Sequence, residues 1–200
     1  MPIIYPEKAD FLKKIKKQNN QLLWTTLKSD LDTPVSTYLK LCNKSTNSFL
    51  LESVQDGTYR GRYSIIGFNP DIIWKCKKGI AYKKIIKKDT GKFIKEKHSP
   101  LKSLQGLINS SKIKLPTHLP PMSAGLIGYL GYETIEQYEK LPPRKKNSIN
   151  VPDGLFIRPK TLAIFDDIKN EITLIHTYWY KKNQNYEKDY EFIVNYLKKL

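Results

Sequence analysis

Two β-favouring runs late in the chain, Phe156-Ile-Arg-Pro-Lys-Thr-Leu-Ala-Ile-Phe-Asp166 and Glu171-Ile-Thr-Leu-Ile-His-Thr-Tyr-Trp-Tyr180, are separated only by Asp167-Ile-Lys-Asn170. A link that short cannot carry the crossover that parallel pairing requires, and its Asp and Asn favour a turn, so the runs predict an antiparallel hairpin. The same logic recurs upstream. Residues 72–77 and 80–86 are strand-like and meet at Lys78-Gly79. Phe49-Leu-Leu51 and residues 63–66 flank the turn signal Asp56-Gly57. Gln21-Leu-Leu-Trp-Thr-Thr-Leu27 is a further extended run, and Asn69-Pro70 reads as a turn.

Between the strands stand isolated helices. Residues 9–20 place Phe11, Leu12 and Ile15 at helical spacing among lysines. Thr33 is an N-cap, Pro34 suits the first helical position, Val35, Tyr38, Leu39 and Leu41 form the expected buried side, and Asn43 is the stop. Leu101, Leu104, Leu107 and Ile108 recur at helical spacing after Ser99-Pro100. Tyr132 begins a further helix carrying Ile135 and Tyr138, and Tyr186, Tyr190, Ile193, Val194 and Leu197 predict a strongly amphipathic last one. Hairpins and helices without βαβ repeats argue for an α+β fold, a largely antiparallel sheet with packed helices. A proline-rich connector runs over residues 115–121, and residues 142–150 read as an exposed, mobile loop. Gly125, Gly128 and Gly131 lie three apart, which suits close backbone approach and not a GxGxxG phosphate cradle.

Composition narrows the function classes. No apolar run approaches the roughly 20 residues of a membrane helix, and the N-terminus has no export signal, so a cytoplasmic location is expected. The net charge of +16 is the footprint of a polyanion binder, but the excess is lysine spread along the whole chain. Arginine, the planar fork of phosphate and base readers, stands only at Arg60, Arg62, Arg144 and Arg158, which argues against nucleic acid. Cys42 and Cys76 are far from any CxxC spacing and read as small buried side chains, and His98, His118 and His176 stand singly. No metal site and no catalytic residue are assigned.

Glu52 and Ser53 form a polar pair at the end of an apolar run. Ser53 can offer a hydroxyl, and Glu52 a carboxylate, to a ligand. Alternatively Glu52 pairs with Arg60 or Arg62 across the hairpin and Ser53 caps a turn. Spacing does not choose between these.

Six motifs then occur in order: Thr33-Pro-Val-Ser-Thr-Tyr-Leu-Lys40, Leu50-Leu-Glu-Ser53, Gly61-Arg-Tyr-Ser-Ile-Ile-Gly67, Asn69-Pro-Asp71, Gly125-Leu-Ile-Gly-Tyr-Leu-Gly-Tyr-Glu133 and Phe165-Asp-Asp167. Together they resemble the N-terminal region of the anthranilate synthase component I family. The resemblance takes in residues 1–200 as one region, with the motifs between about 11 and 180. It implies a complete enzyme, more than twice this length, that converts chorismate and ammonia to anthranilate and pyruvate with Mg2+. Ammonia would come from a glutamine amidotransferase, component II. The chorismate-binding catalytic domain and its magnesium carboxylates would lie outside these residues, so the segment alone is expected to be inactive and to hold no cofactor. The family's N-terminal region takes part in feedback inhibition by tryptophan, and the serine of the Leu-Leu-Glu-Ser motif contacts the inhibitor. That role falls here on Ser53, with Glu52 a weaker candidate that orients the ligand ammonium or braces Arg62.

Component I of aminodeoxychorismate synthase, a close relative, is the alternative within the same chemistry. A stand-alone amino-acid-binding regulatory module is the alternative from a different class.

Overall fold

The computed structural model describes residues 2–43, 45–55, 59–86, 91–137, 139 and 150–200, with only the backbone path described at 54, 55, 59, 60, 133, 136 and 137. Its elements are α1 (Lys8–Ile15), β1 (Gln21–Lys28), α2 (Pro34–Cys42), β2 (Phe49–Gln55), β3 (Tyr59–Lys77), β4 (Ile80–Ile85), β5 (Ile94–Lys95), α3 (Pro100–Ser110), β6 (Ile127–Leu130), a 3-10 helix (Tyr132–Gln137), β7 (Gly154–Asp166), β8 (Glu171–Tyr178) and α4 (Tyr186–Lys199). The chain divides into two compact units. One comprises Met1–Asn69, Ile113–Ala124 and Pro159–Leu200, and the other Pro70–Lys112 and Gly125–Arg158.

In the first unit the strands run in the order β1-β8-β7-β3, and β2 also pairs with β3. The late hairpin forms as expected, with Asp166 opposite Glu171 and Thr161 opposite His176, and β1 adds antiparallel to β8 from Gln21↔Tyr178 to Lys28↔Glu171. Consecutive strand residues divide between two apolar clusters. Leu23, Ile66, Ala163, Phe165 and Leu174 belong to one; Leu22, Ile65, Leu162, Ile164 and Ile175 belong to the other. That is the period-two alternation of a sheet apolar on both faces, which is why these strands read as unbroken apolar runs. Helices cover the first face with Phe11 and Ile15 from α1, Cys42 from α2, and Ile193 and Leu197 from α4. Ile113 and, from the connector, Leu115 and Leu119 cover the second, so a proline-rich stretch that reads as a linker packs into the core. Full burial of each such aliphatic side chain is worth about 1.5–3 kcal/mol.

In the second unit β3 pairs with β4 through the turn at Lys78 and Gly79, both at positive φ, and β5 adds to β4. Trp74, Cys76, Ala81, Leu104 and Leu107 form its core, and the Trp74 Nε1 donates to Ser103 Oγ at 3.0 Å. Arg158 donates to both oxygens of Asp71, at 2.8 and 2.6 Å, and to Ser111 Oγ at 3.2 Å. Of the spaced glycines, Gly128 meets the expectation of close approach, since a Cβ there would lie 1.9 Å from the Leu155 carbonyl oxygen, whereas Gly125 has open space at that position and is set apart instead by its φ of 143°.

Several local expectations are corrected. Asn69-Pro70 does not break the chain into two strands; both residues lie inside the 19-residue β3. Asn69 absorbs the distortion at φ 51°, which its short side chain tolerates, and Pro70 falls between the last β2 partner, Gly67, and the first β4 partner, Ile72. On α2, Tyr38 and Leu41 pack against the core as expected, but Val35 and Leu39 are exposed, at 49% and 62%, and the fully buried residues are Thr37 and Cys42. The segment after Tyr132 is a 3-10 helix, with Tyr138 outside the described residues. The Asp56-Gly57 turn and residues 142–149 of the expected loop also lie outside them.

Candidate ligand site

The Leu50-Leu-Glu-Ser53 segment occupies β2, antiparallel to β3. Leu50 faces Ile66 in the helix-covered core, and two residues on Glu52 faces Ser64, so both project to that side of the sheet. Glu52 is nevertheless exposed. Beyond it the ladder is irregular: Glu52 pairs with Ser64 but Val54 pairs with Arg60, so residues 61–63 of β3 stand opposite the single residue Ser53. Such a bulge re-aims a side chain and increases the local twist. Ser53 is exposed at this point, and neither it nor Glu52 makes a side-chain hydrogen bond or ion pair to another described residue.

Gly61 lies directly against Ser53. A Cβ built on Gly61 would fall 2.0 Å from Ser53 Oγ and 2.2 Å from Ser53 Cβ. Arg62, the next residue, does not pair with Glu52 and so is not braced by it. Its Nε and Nη2 donate to Asp166, at 3.1 and 2.9 Å, and its guanidinium lies 4.8 Å from the Tyr63 ring centre. Burial alone would raise the Asp166 carboxyl, but the bonds from Arg62 and the backbone N–H groups of Lys169 and Ile168 outweigh it and hold the pKa below the usual range. Ser53 therefore emerges against Gly61, one residue before the charge-compensated Arg62–Asp166 pair.

What chemistry this permits is limited. The hydroxyl can donate or accept, and the Glu52 carboxylate can accept from an ammonium. Among the described residues no three side chains of His, Cys, Asp or Glu are gathered to hold a metal ion. Cys42 and Cys76 are buried and not joined in a disulfide, and burial pushes the Cys42 thiol up, away from thiolate chemistry. His118 stands with Ile3, Tyr5, Trp24 and Thr26 around a separate groove of about 590 Å³, its ring 5.2 Å from that of Trp24. Gly61 and Asp166 lie in two of the ordered motifs, but the sequence assigns neither of them a part in the site. A glycine inside a strand pattern signals a bulge or close approach and could have flagged Gly61; nothing local links residues 62 and 166.

Fold and site together define an α+β module built on antiparallel strands, with an exposed polar strand irregularity and no metal cluster among its described residues. No protein-family model matches the chain. It is 41% identical over 165 residues to anthranilate synthase component 1 of Cereibacter sphaeroides, covering 82% of this chain and 33% of that protein. The Thermus thermophilus protein of the same name is 36% identical over 150 residues, covering 75% and 30%. The crystal structure of anthranilate synthase component I from Streptococcus pneumoniae TIGR4 superposes with a TM-score of 0.53 at 26% identity, over 86% of this chain and 36% of that one. The chain belongs to the anthranilate synthase component I family, and spans about a third of the length of the relatives it matches. No described helix is long and apolar enough to cross a membrane.

Proposed function

We propose that this chain is the N-terminal, tryptophan-sensing part of an anthranilate synthase component I. In complete form that enzyme is a carbon–oxygen lyase of the cytoplasm, converting chorismate and ammonia to anthranilate and pyruvate, with ammonia from a glutamine amidotransferase, component II. The observation that carries the reading is the 41% identity over 82% of the chain to a protein of that name. The chain spans about a third of the relatives it matches, and on this reading the chorismate site and its Mg2+ belong to the part of those relatives that it does not cover, with the segment alone inactive.

Tryptophan requires an apolar slot for its indole and a few fixed polar groups for its zwitterionic end. Ser53 offers one such group, exposed on the β2 irregularity, and Glu52 offers a carboxylate suited to the ammonium. An effector held there biases the enzyme through a coupling typically worth about 1–3 kcal/mol. The test is a calorimetric tryptophan titration of the complete polypeptide the gene encodes, its Ser53→Ala variant and the 200-residue chain. Saturable binding by the complete protein that Ser53→Ala abolishes, with little binding by the shorter chain, is expected. An alanine variant that binds and is inhibited like the parent would remove Ser53 from the site.

A further inference from the structure

We propose that Gly61 is the positioning residue of Ser53: the empty side-chain position at Gly61 is what lets the Ser53 hydroxyl stand where it does. The functional half of this inference rests on the tryptophan-sensing reading; the structural half rests on geometry alone. A Cβ at Gly61 would lie 2.0 Å from Ser53 Oγ, 2.2 Å from Ser53 Cβ and 2.8 Å from the Ser53 carbonyl oxygen. Turning χ1 of Ser53 moves Oγ but leaves Cβ in place, so no rotamer clears the second contact. Relief requires the two strands to move apart, at the point where three residues of β3 face one of β2.

The demand is one of space. Gly79 and Gly125 occupy positive φ, at 71° and 143°, which disfavours any side chain there. No such angle is found at Gly61, whose neighbour alone excludes a substituent. Gly106, inside α3, has open space where its Cβ would stand and provides the control.

The experiment compares Gly61→Ala, Ser53→Gly, the double variant, Ser53→Ala and Gly106→Ala in the complete polypeptide, by thermal midpoint and by calorimetric titration with L-tryptophan. Gly61→Ala is expected to lower the midpoint by several degrees and to weaken tryptophan binding by on the order of tenfold, while Gly106→Ala keeps or raises the midpoint. In the Ser53→Gly background two of the three contacts vanish, so the midpoint loss caused by Gly61→Ala should fall to about half or less. If Gly61→Ala alone does not fold, recovery of folding in the double variant is the supporting result. Parental midpoint and affinity in Gly61→Ala, or an equal midpoint loss in both backgrounds, would overturn the proposal. Coupling in the midpoint with unchanged tryptophan binding in both Gly61→Ala and Ser53→Ala would leave the positioning standing and sink the assignment of Ser53 to a tryptophan site.

Discussion

His176 is held neutral inside the first unit. Its ring is buried, Nδ1 lies 3.1 Å from Thr161 Oγ1, and the Tyr196 ring packs against it edge-on at 5.4 Å. Desolvation, aided by the positive charge of Lys160, pushes its pKa from 6.5 down to about 3. The unfolded chain therefore binds a proton below pH 6.5 that the folded chain refuses until about pH 3, and stability falls through that window by about 1.4 kcal/mol per pH unit. Asp166 acts lower on the scale: its depressed pKa contributes stability above the unfolded carboxylate value and loses it only as pH drops through the folded one. Denaturant midpoints at pH 7 and 5 should thus fall in the parent and stay nearly level in His176→Gln. Equal falls in both would assign the acid sensitivity elsewhere. At the same scale, Asp166→Ala should cost more than Arg62→Ala, on the order of 2 kcal/mol, because the carboxylate also accepts from the backbone N–H groups of Ile168 and Lys169. Arg62→Ala leaves the Asp166 carboxylate, only 8% exposed, without its cation but still held by those two N–H groups, so chemical denaturation should register a real but smaller loss. The Thr161, Tyr196 and Arg62 contacts join residues far apart in sequence, which is why the sequence does not show these roles; only Ile168 and Lys169 lie within three residues of Asp166.

Helix α2 shows how far an element can be foreseen. Its start was legible because capping is local: Thr33 Oγ1 accepts from the Ser36 N–H at 3.1 Å, and Ser36 Oγ accepts from the Thr33 N–H at 3.0 Å. Thr33→Ala should cost about 1 kcal/mol in the denaturation midpoint. Its buried side was half legible: Tyr38 and Leu41 pack on the core as expected, but Val35 and Leu39 do not, because a two-turn helix carries apolar residues all round and only the packed fold decides which are covered. Leu39→Lys should therefore leave stability nearly unchanged, whereas Leu197→Ala, which empties a fully buried position of α4, should cost about 2–5 kcal/mol. Equal losses would mean that the α2 face is covered after all. Strand β3 failed for a related reason: Asn-Pro is ordinarily a turn signal, and only the pairing of the flanking residues carries the strand through it. Asn69 also donates from Nδ2 to the Tyr196 hydroxyl at 2.8 Å, so Asn69→Gly should keep the backbone and lose one bond, while Asn69→Ala loses both and is the less stable of the pair.

For the chain as a whole, antiparallel hairpins, isolated helices and six ordered motifs specified fold class and family, since each rests on local pattern or on the order of motifs along the chain. The irregularity that exposes Ser53 was hidden, because a register shift is a property of two strands and is written in neither alone. Net charge is the remaining global property with a measurable consequence. The chain holds 35 basic against 19 acidic residues, so even one-to-one pairing of every carboxylate would leave an excess of 16 positive charges. Two opposing effects of salt follow. Screening weakens ion pairs, but partly buried ones such as Arg158 with Asp71 are shielded from it, and exposed ones such as Lys28 with Glu171 contribute little in any case. Screening also relieves repulsion among like charges spread over the whole surface, a term that grows with net charge and is fully exposed to solvent. The second effect should win. Raising sodium chloride from about 0.02 to about 0.5 M, which shortens the screening length from roughly 20 Å to about 4 Å, should raise the thermal midpoint by a few degrees. A midpoint that falls with salt would mean that attractive pairs, not the lysine excess, dominate the electrostatic free energy of this fold.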